Sequence, residues 1–288
     1  MDVMSHVASA TSSSSLQTYR ALVGWMNEQE QLQTLLGRLP LPTDDLAALS
    51  ASAAAYRAAV TSRPAFTPMS PLSAIEGVEL LAALSVRPDI HAFVAGVGGR
   101  LAMVNLREVL AFQKTIRVDD LDARAAPALE DLSHLLELCF PSSLSLEINY
   151  ERDDVGFTLT STNPNFLIVP GQSPLDIGGL SSFPFHLVPN RNYFMVAHYQ
   201  GRYFIHNGYH RAVGFLRAGR DIVPCVLAEA QHFDQVGWRP GMIDQEQMLG
   251  EYPPRLVDFW DDAVSYSILR QARRRVFRLR VDVFDVAA

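Results

Sequence analysis

The chain of 288 residues has a single lysine, Lys114, and its other basic side chains are arginines. Lys and Arg together number 24 against 31 Asp and Glu, a formal net charge of −7. That balance argues against broad nucleic-acid affinity, which rests on neutralising phosphates with cations. No apolar run approaches the ~18–20 residues that a spanning helix needs, so no membrane partner is expected. Asp2 and the Ser12–Ser15 tract stand where a secretory signal would carry a basic region and an apolar core. Cysteine is scarce: Cys139 and Cys225 lie far apart, both in apolar surroundings, and read as reduced thiols of a cytoplasmic protein. No Gly-x-Ser-x-Gly elbow and no Cys/His framework of zinc spacing occurs, so neither a serine-hydrolase triad nor a metal site is expected. Gly96-Val97-Gly98-Gly99 lacks the Gly-Lys-Ser/Thr of a phosphate loop and reads as a turn.

What is present is a hydrophobic content of 48%, ample for a core, in an α+β arrangement. Residues 1–15 read as a disordered tail. Residues 16–140 read as a mainly helical N-terminal region, with helices over Leu16–Leu39 and Asp44–Arg63 separated by Pro40 and Pro42, and Thr43 as the second N-cap. Further helices are expected at Ala74–Leu84, Asp89–Ala95 and 126–138, with a strand at Arg100–Val104. Residues 141–170 form a hairpin region, because Leu144, Leu146, Ile148 and Tyr150 alternate with polar residues, as do Phe157 and Leu159 after the Arg152-Asp153-Asp154 turn. Phe166–Val169, His186–Val188 and Tyr193–Ala197 read as strands, and Pro170–Pro184 as a linker. Residues 244–250 and Pro254–Arg274 look helical, and Arg275–Val286 alternates as an edge strand. Arg273-Arg274-Arg275 reads as a solvated helix end.

The stretch richest in chemistry is Tyr203-Phe204-Ile205-His206-Asn207-Gly208-Tyr209-His210-Arg211-Ala212. Asn-Gly between apolar runs ordinarily signals a hairpin, but Ala212, Phe215, Leu216 and Gly219 recur at helical spacing. Strand–turn–helix is therefore predicted, with Asn207 as N-cap and Gly219 just past the helix end. Asp221–Leu227 reads as the next strand. A helix opening on a Gly with His210 and Arg211 in its first turn aims backbone amides, an imidazole and a guanidinium at one phosphate-sized spot. His206 reads as structural, although a zinc ion between it and His210 is an alternative.

The segment from Phe183 to Leu227 resembles the ParB/sulfiredoxin-like domain, whose members show a strand, Gly-x-His-Arg or Gly-x-Arg-Arg, a helix ending in Gly, and Ile-Pro before a strand. The resemblance implies an α/β domain over 171–288, closed by a C-terminal helix and strand. Its members include ParB partition proteins that bind CTP, sulfiredoxins that use ATP, and ADP-dependent free-serine kinases, and in them the turn holds nucleotide phosphates. It therefore implies that Asn207, Gly208, Tyr209, His210 and Arg211 bind an NTP (ATP or CTP) with Mg²⁺, that His210 serves as acid/base, and that Asn190, Arg191 and Asn192 contribute to the pocket. Tyr209 stands where sulfiredoxin has its catalytic cysteine, which argues against sulfinic-acid reduction. No pair of helices suited to DNA follows Leu227, which argues against a centromere-binding role. The expected function is NTP hydrolysis or phosphotransfer. The alternatives are a non-catalytic nucleotide- or partner-binding regulatory module, with a protein partner or second copy docking on the N-terminal helices, and a metal-dependent nuclease. Simple packing of the turn, with Arg211 bonded internally, is the remaining reading.

Overall fold

The structure, a computed structural model, describes residues 16–36, 43–73, 78–119, 121, 131–142, 149–153, 156–160, 166–170, 175–177, 180–182, 185–189 and 192–271. The chain divides into two compact units, Met1–Phe140 with Tyr193–Ala272, and Pro141–Asn192 with Arg273–Ala288. The first begins with β1 (Leu16–Ala21), α1 (Glu28–Leu36), α2 (Thr43–Thr61), β2 (Leu72–Ser73), α3 (Val78–Ser85), α4 (Pro88–Gly96), β3 (Gly99–Asn105), β4 (Thr115–Arg117) and α5 (Leu132–Cys139). The second unit holds the hairpin of β5 (Asn149–Asp153) and β6 (Gly156–Thr160). It also holds β7 (Phe166–Pro170), β8 (Leu175–Ile177), β9 (Leu180–Ser182) and β10 (Phe185–Pro189), paired as β7 with β10 and β8 with β9. The first unit resumes with β11 (Met195–Tyr199), β12 (Arg202–Asn207), α6 (Tyr209–Arg217), β13 (Ile222–Glu229), α7 (Gln245–Leu249) and β14 (Tyr266–Gln271).

The α+β class is realised around a five-stranded sheet in the order β12-β11-β13-β3-β2. β13, at its centre, is buried from Val223 to Ala228, as an apolar run flanked on both sides requires. It pairs parallel to β11 and antiparallel to β3. Pro224 lacks a ladder donor, and it sits where β13 has β3 alone as partner, before β11 joins at Val226. β11 and β12 form a hairpin through Gln200 and Gly201, both at positive φ (49° and 73°), a primed turn matching the strand twist. Tyr193, Phe194, Phe204 and Phe215 are fully buried around this sheet. Among the described residues no helix is long and apolar enough to cross a membrane.

Several expected elements take another form. Helix was expected from Leu16, but Leu16–Ala21 is β1 and Val23–Trp25 a 3₁₀ turn, so α1 starts only at Glu28. β1 lies between β14 and β4 in a three-stranded sheet, and that pairing overrides local helix propensity. Arg20, 8% exposed, locks it by donating to the Phe259 carbonyl (2.6 Å), Ser267 Oγ (2.9 Å) and Asp262 Oδ1 (2.7 Å). The helix expected over Pro254–Arg274 is instead a 3₁₀ turn, Leu256–Trp260, followed by β14. Pro170–Pro184 is not a bare linker, since it carries β8 and β9. Nor does a separate unit begin at residue 171: the sheet carrying the Gly208 turn is completed by β3 and β2 from the N-terminal region. The tail 1–15, the Pro40–Pro42 join, residues 126–130, Leu144–Ile148, Asp154, the arginines 273–275 and the strand at 275–286 lie outside the described residues.

Candidate functional site

β12 delivers the chain to Gly208, whose φ of +109° belongs to glycine. A Cβ there would come 2.6 Å from the Phe194 ring, so backbone conformation and packing both require its absence. Gly208, rather than Asn207, holds the N-cap position, without a side-chain cap. Asn207 does other work: its Nδ2 donates to the Tyr193 carbonyl at 3.1 Å, tying the end of β12 to the approach of β11. At the far end of α6, Gly219 (φ +83°) donates to Leu216 and Arg220 to Phe215, the crossed pair of bonds that a left-handed glycine closes.

The three residues after Gly208 point in different directions. Tyr209 turns into the core, 4% exposed; its hydroxyl accepts the Phe112 N–H at 3.1 Å, and burial pushes the phenol well above its ordinary range. His210 is exposed. Arg211 reaches back to the end of α5, where Nη1 donates to the carbonyls of Leu138 (2.7 Å) and Cys139 (3.4 Å). Its Cζ lies 5.6 Å from the Phe194 ring centroid. A helix C-terminus presents carbonyls without intrahelical donors and a partial negative charge, and a guanidinium answers both. Burial pulls Arg211 below its ordinary value, yet a guanidinium stays protonated in proteins. The His210 and Arg211 side chains, expected to meet at one anion, thus diverge, with His210 exposed and Arg211 turned to α5. Asn190 and Arg191 lie outside the described residues; Asn192 is half-buried just before Tyr193.

The electrostatics of the turn still suit an anion. The first turns of α1, α3, α4 and α7 carry Glu28, Glu79, Asp89 and Glu246, whereas α6, like α5, carries no acid there, and it opens with His210 and Arg211. The backbone of that first turn has no acceptor within its own helix. A divalent ion there would rely on the phosphates themselves, because no carboxylate stands in the turn. His206 does not join His210: its ring faces Gly237, where a Cβ would lie 2.9 Å away. Among the described residues no three metal-ligating side chains come together. Both cysteines are buried and free, and burial pushes Cys139 up to about 12 and raises Cys225, so neither is a thiolate nucleophile.

A second polar cluster escaped the sequence reading. His198 and Glu229, aligned across the parallel pair β11 and β13, meet at 2.6 Å between Nδ1 and Oε2, and the imidazole stacks on Tyr203 with centroids 4.5 Å apart. The only signal available would have been the register of three strands, which no local motif encodes.

Comparison with family models, with curated proteins and with solved structures finds no match.

Proposed function

We propose that the chain binds a nucleotide, ATP or CTP with Mg²⁺, at the first turn of α6, as the likeness to ParB/sulfiredoxin-like domains implies. The observation that carries this reading is a glycine-opened helix at the end of a central-sheet hairpin, without a carboxylate in its first turn and with an exposed imidazole there. Phosphates would meet the helix N-terminus, and His210 is the titratable group placed to hydrogen-bond them or move a proton. The engagement of Arg211 favours a regulatory module over an NTPase or phosphotransferase. A phosphate arriving at the turn would compete with the Leu138 and Cys139 carbonyls for the guanidinium, so ligand binding would be felt at the end of α5. In this reading α1 and α2 offer the surface for a partner protein or second copy.

His210→Glu tests the assignment cleanly, because the residue is exposed and an acid in the first turn of a helix is itself favourable. Calorimetric titration of Mg-ATP and Mg-CTP should show affinity falling tenfold or more, about 1.4 kcal/mol or above, in a variant whose circular dichroism spectrum matches wild type. Equal affinity in wild type and variant would remove the phosphates from this turn. Binding by wild type without phosphate release would select the regulatory reading.

A further inference from the structure

His206 lies on β12 two residues before Gly208, its ring against Gly237 of the segment Phe233–Ile243. That segment starts with a 3₁₀ turn, Phe233–Val236, and contains two glycines at positive φ, Gly237 (90°) and Gly241 (92°). Phe233 packs edge-on against Phe204 at 5.8 Å, and Trp238 against Phe233 at 6.1 Å. The Trp238 indole N–H donates to the Ile243 carbonyl at 2.8 Å, and the Ile243 N–H donates to Phe112 at 2.9 Å. The interior of the segment is otherwise held by Met242 N–H to Arg239 (3.2 Å) and a long contact from Gly237 N–H to Asp234 (3.4 Å). Its grip on the sheet rests on burial of Phe233, Val236 and Ile243, on the Ile243 N–H bond to Phe112, and on His206 fitting against Gly237.

The His206 imidazole is poorly provided for. Its Nδ1 is buried without a hydrogen-bond partner among the described residues. The segment's charged group that acts on the ring is Arg239, itself exposed, as are the carboxylate Asp234 and the other imidazole His232. A neutral ring tolerates this position, whereas an imidazolium would be a half-buried cation near a second cation, its buried Nδ1–H meeting no acceptor among the described residues. We propose that Phe233–Ile243 is a pH-operated strap, released from β12 when His206 takes up a proton, uncovering the Phe204 face of the sheet.

Burial first, and the Arg239 cation second, hold the folded imidazole below its ordinary value of 6.5. The folded state therefore binds the proton less readily than the open one. The closing contact is fully present above 6.5 and is lost as pH falls through the lower folded value.

The test is ¹⁹F NMR of the full chain labelled with 5-fluorotryptophan, which reports Trp25, Trp238 and Trp260, with the Trp238 signal assigned by its loss in Trp238→Phe. Between about pH 8 and about pH 5, the range in which imidazoles change charge, the Trp238 signal should move to a solvent-exposed position while the other two stay in place. The midpoint should lie below 6.5, His206→Leu should abolish the movement, and Arg239→Gln should shift the midpoint upward. If His206→Leu fails to fold, the upward shift in Arg239→Gln carries the test alone. A Trp238 signal indifferent to pH, a movement that survives His206→Leu, or one abolished by His232→Gln would each overturn the proposal.

Discussion

β12 keeps its place at one edge of the sheet throughout its length, yet its two ends use their polar residues differently. At the end leading into α6, Asn207, Tyr209 and Arg211 are committed to the Tyr193 carbonyl, the Phe112 N–H and the last carbonyls of α5. Beside the end leaving the hairpin turn, His198 of β11 and Glu229 of β13 bond to one another and remain 27% and 57% exposed in their side chains. Each end nevertheless has one arginine doing the same job. Arg202 donates to the carbonyls of Met248, Leu249 and Gly250 at 2.9–3.0 Å, closing α7 as Arg211 closes α5. The difference lies in what is left over after those helix ends are satisfied. A motif therefore specifies a backbone path, and the side chains it contains are available only after the surrounding orphan carbonyls have taken their share.

The sharpest way to break this comparison is Arg211→Ala. If the guanidinium is structural, its loss takes the side-chain donor from the Leu138 carbonyl, leaves the Cys139 carbonyl with the Phe194 N–H, and opens a cavity beside Phe194. The expected cost is about 3 kcal/mol, in the range of a buried, charge-assisted hydrogen-bonding group. Urea denaturation followed by circular dichroism would measure it. A stability within about 0.5 kcal/mol of wild type, as for a surface substitution, would return Arg211 to the ligand and restore the convergent site.

Gly208→Ala comes next. The added methyl would sit 2.6 Å from a core phenylalanine at a φ of +109°, so strain and overlap act together. A loss of about 2 kcal/mol is expected in the same assay, and one under about 0.5 kcal/mol would show that the turn relaxes freely. Gly219→Ala is the natural reference, since it shares the positive φ (83°) but meets no atom within 4 Å.

These glycines also mark how far the sequence could be read. β12, the Gly208 turn, α6, its end at Gly219 and the return strand β13 are all visible in the residues, because each depends on neighbours a few positions away. The role of Arg211 is not visible: its acceptor, the Leu138 carbonyl, lies 73 residues earlier and belongs to another helix. The same holds for β1, read as helix until its pairing with β14 at the other end of the chain supplies the reason for an extended backbone. His198 and Glu229 meet only because the parallel register of β11 and β13 sets them side by side, 31 positions apart. Local rules thus recovered these elements and the helix end at Gly219 but not the N-cap, which falls on Gly208 instead of Asn207, while long-range register decided which polar groups were consumed.

The smallest effect is expected at that second corner, and its smallness is what makes it informative. Glu229→Gln removes the charge from the partner of His198 but keeps the size and an acceptor oxygen. With Glu229 more than half exposed, the pair gains little over solvation by water, so a loss of about 0.5 kcal/mol or less is expected. A loss above about 1.5 kcal/mol, the range of charged hydrogen bonds that hold buried structure, would mean that this corner too is spent on the fold. The two ends of β12 would then be alike, and the contrast between a consumed motif and an open cluster would fall. A negligible loss leaves His198, stacked on Tyr203 and held by one carboxylate, as polar side chains that the fold does not need.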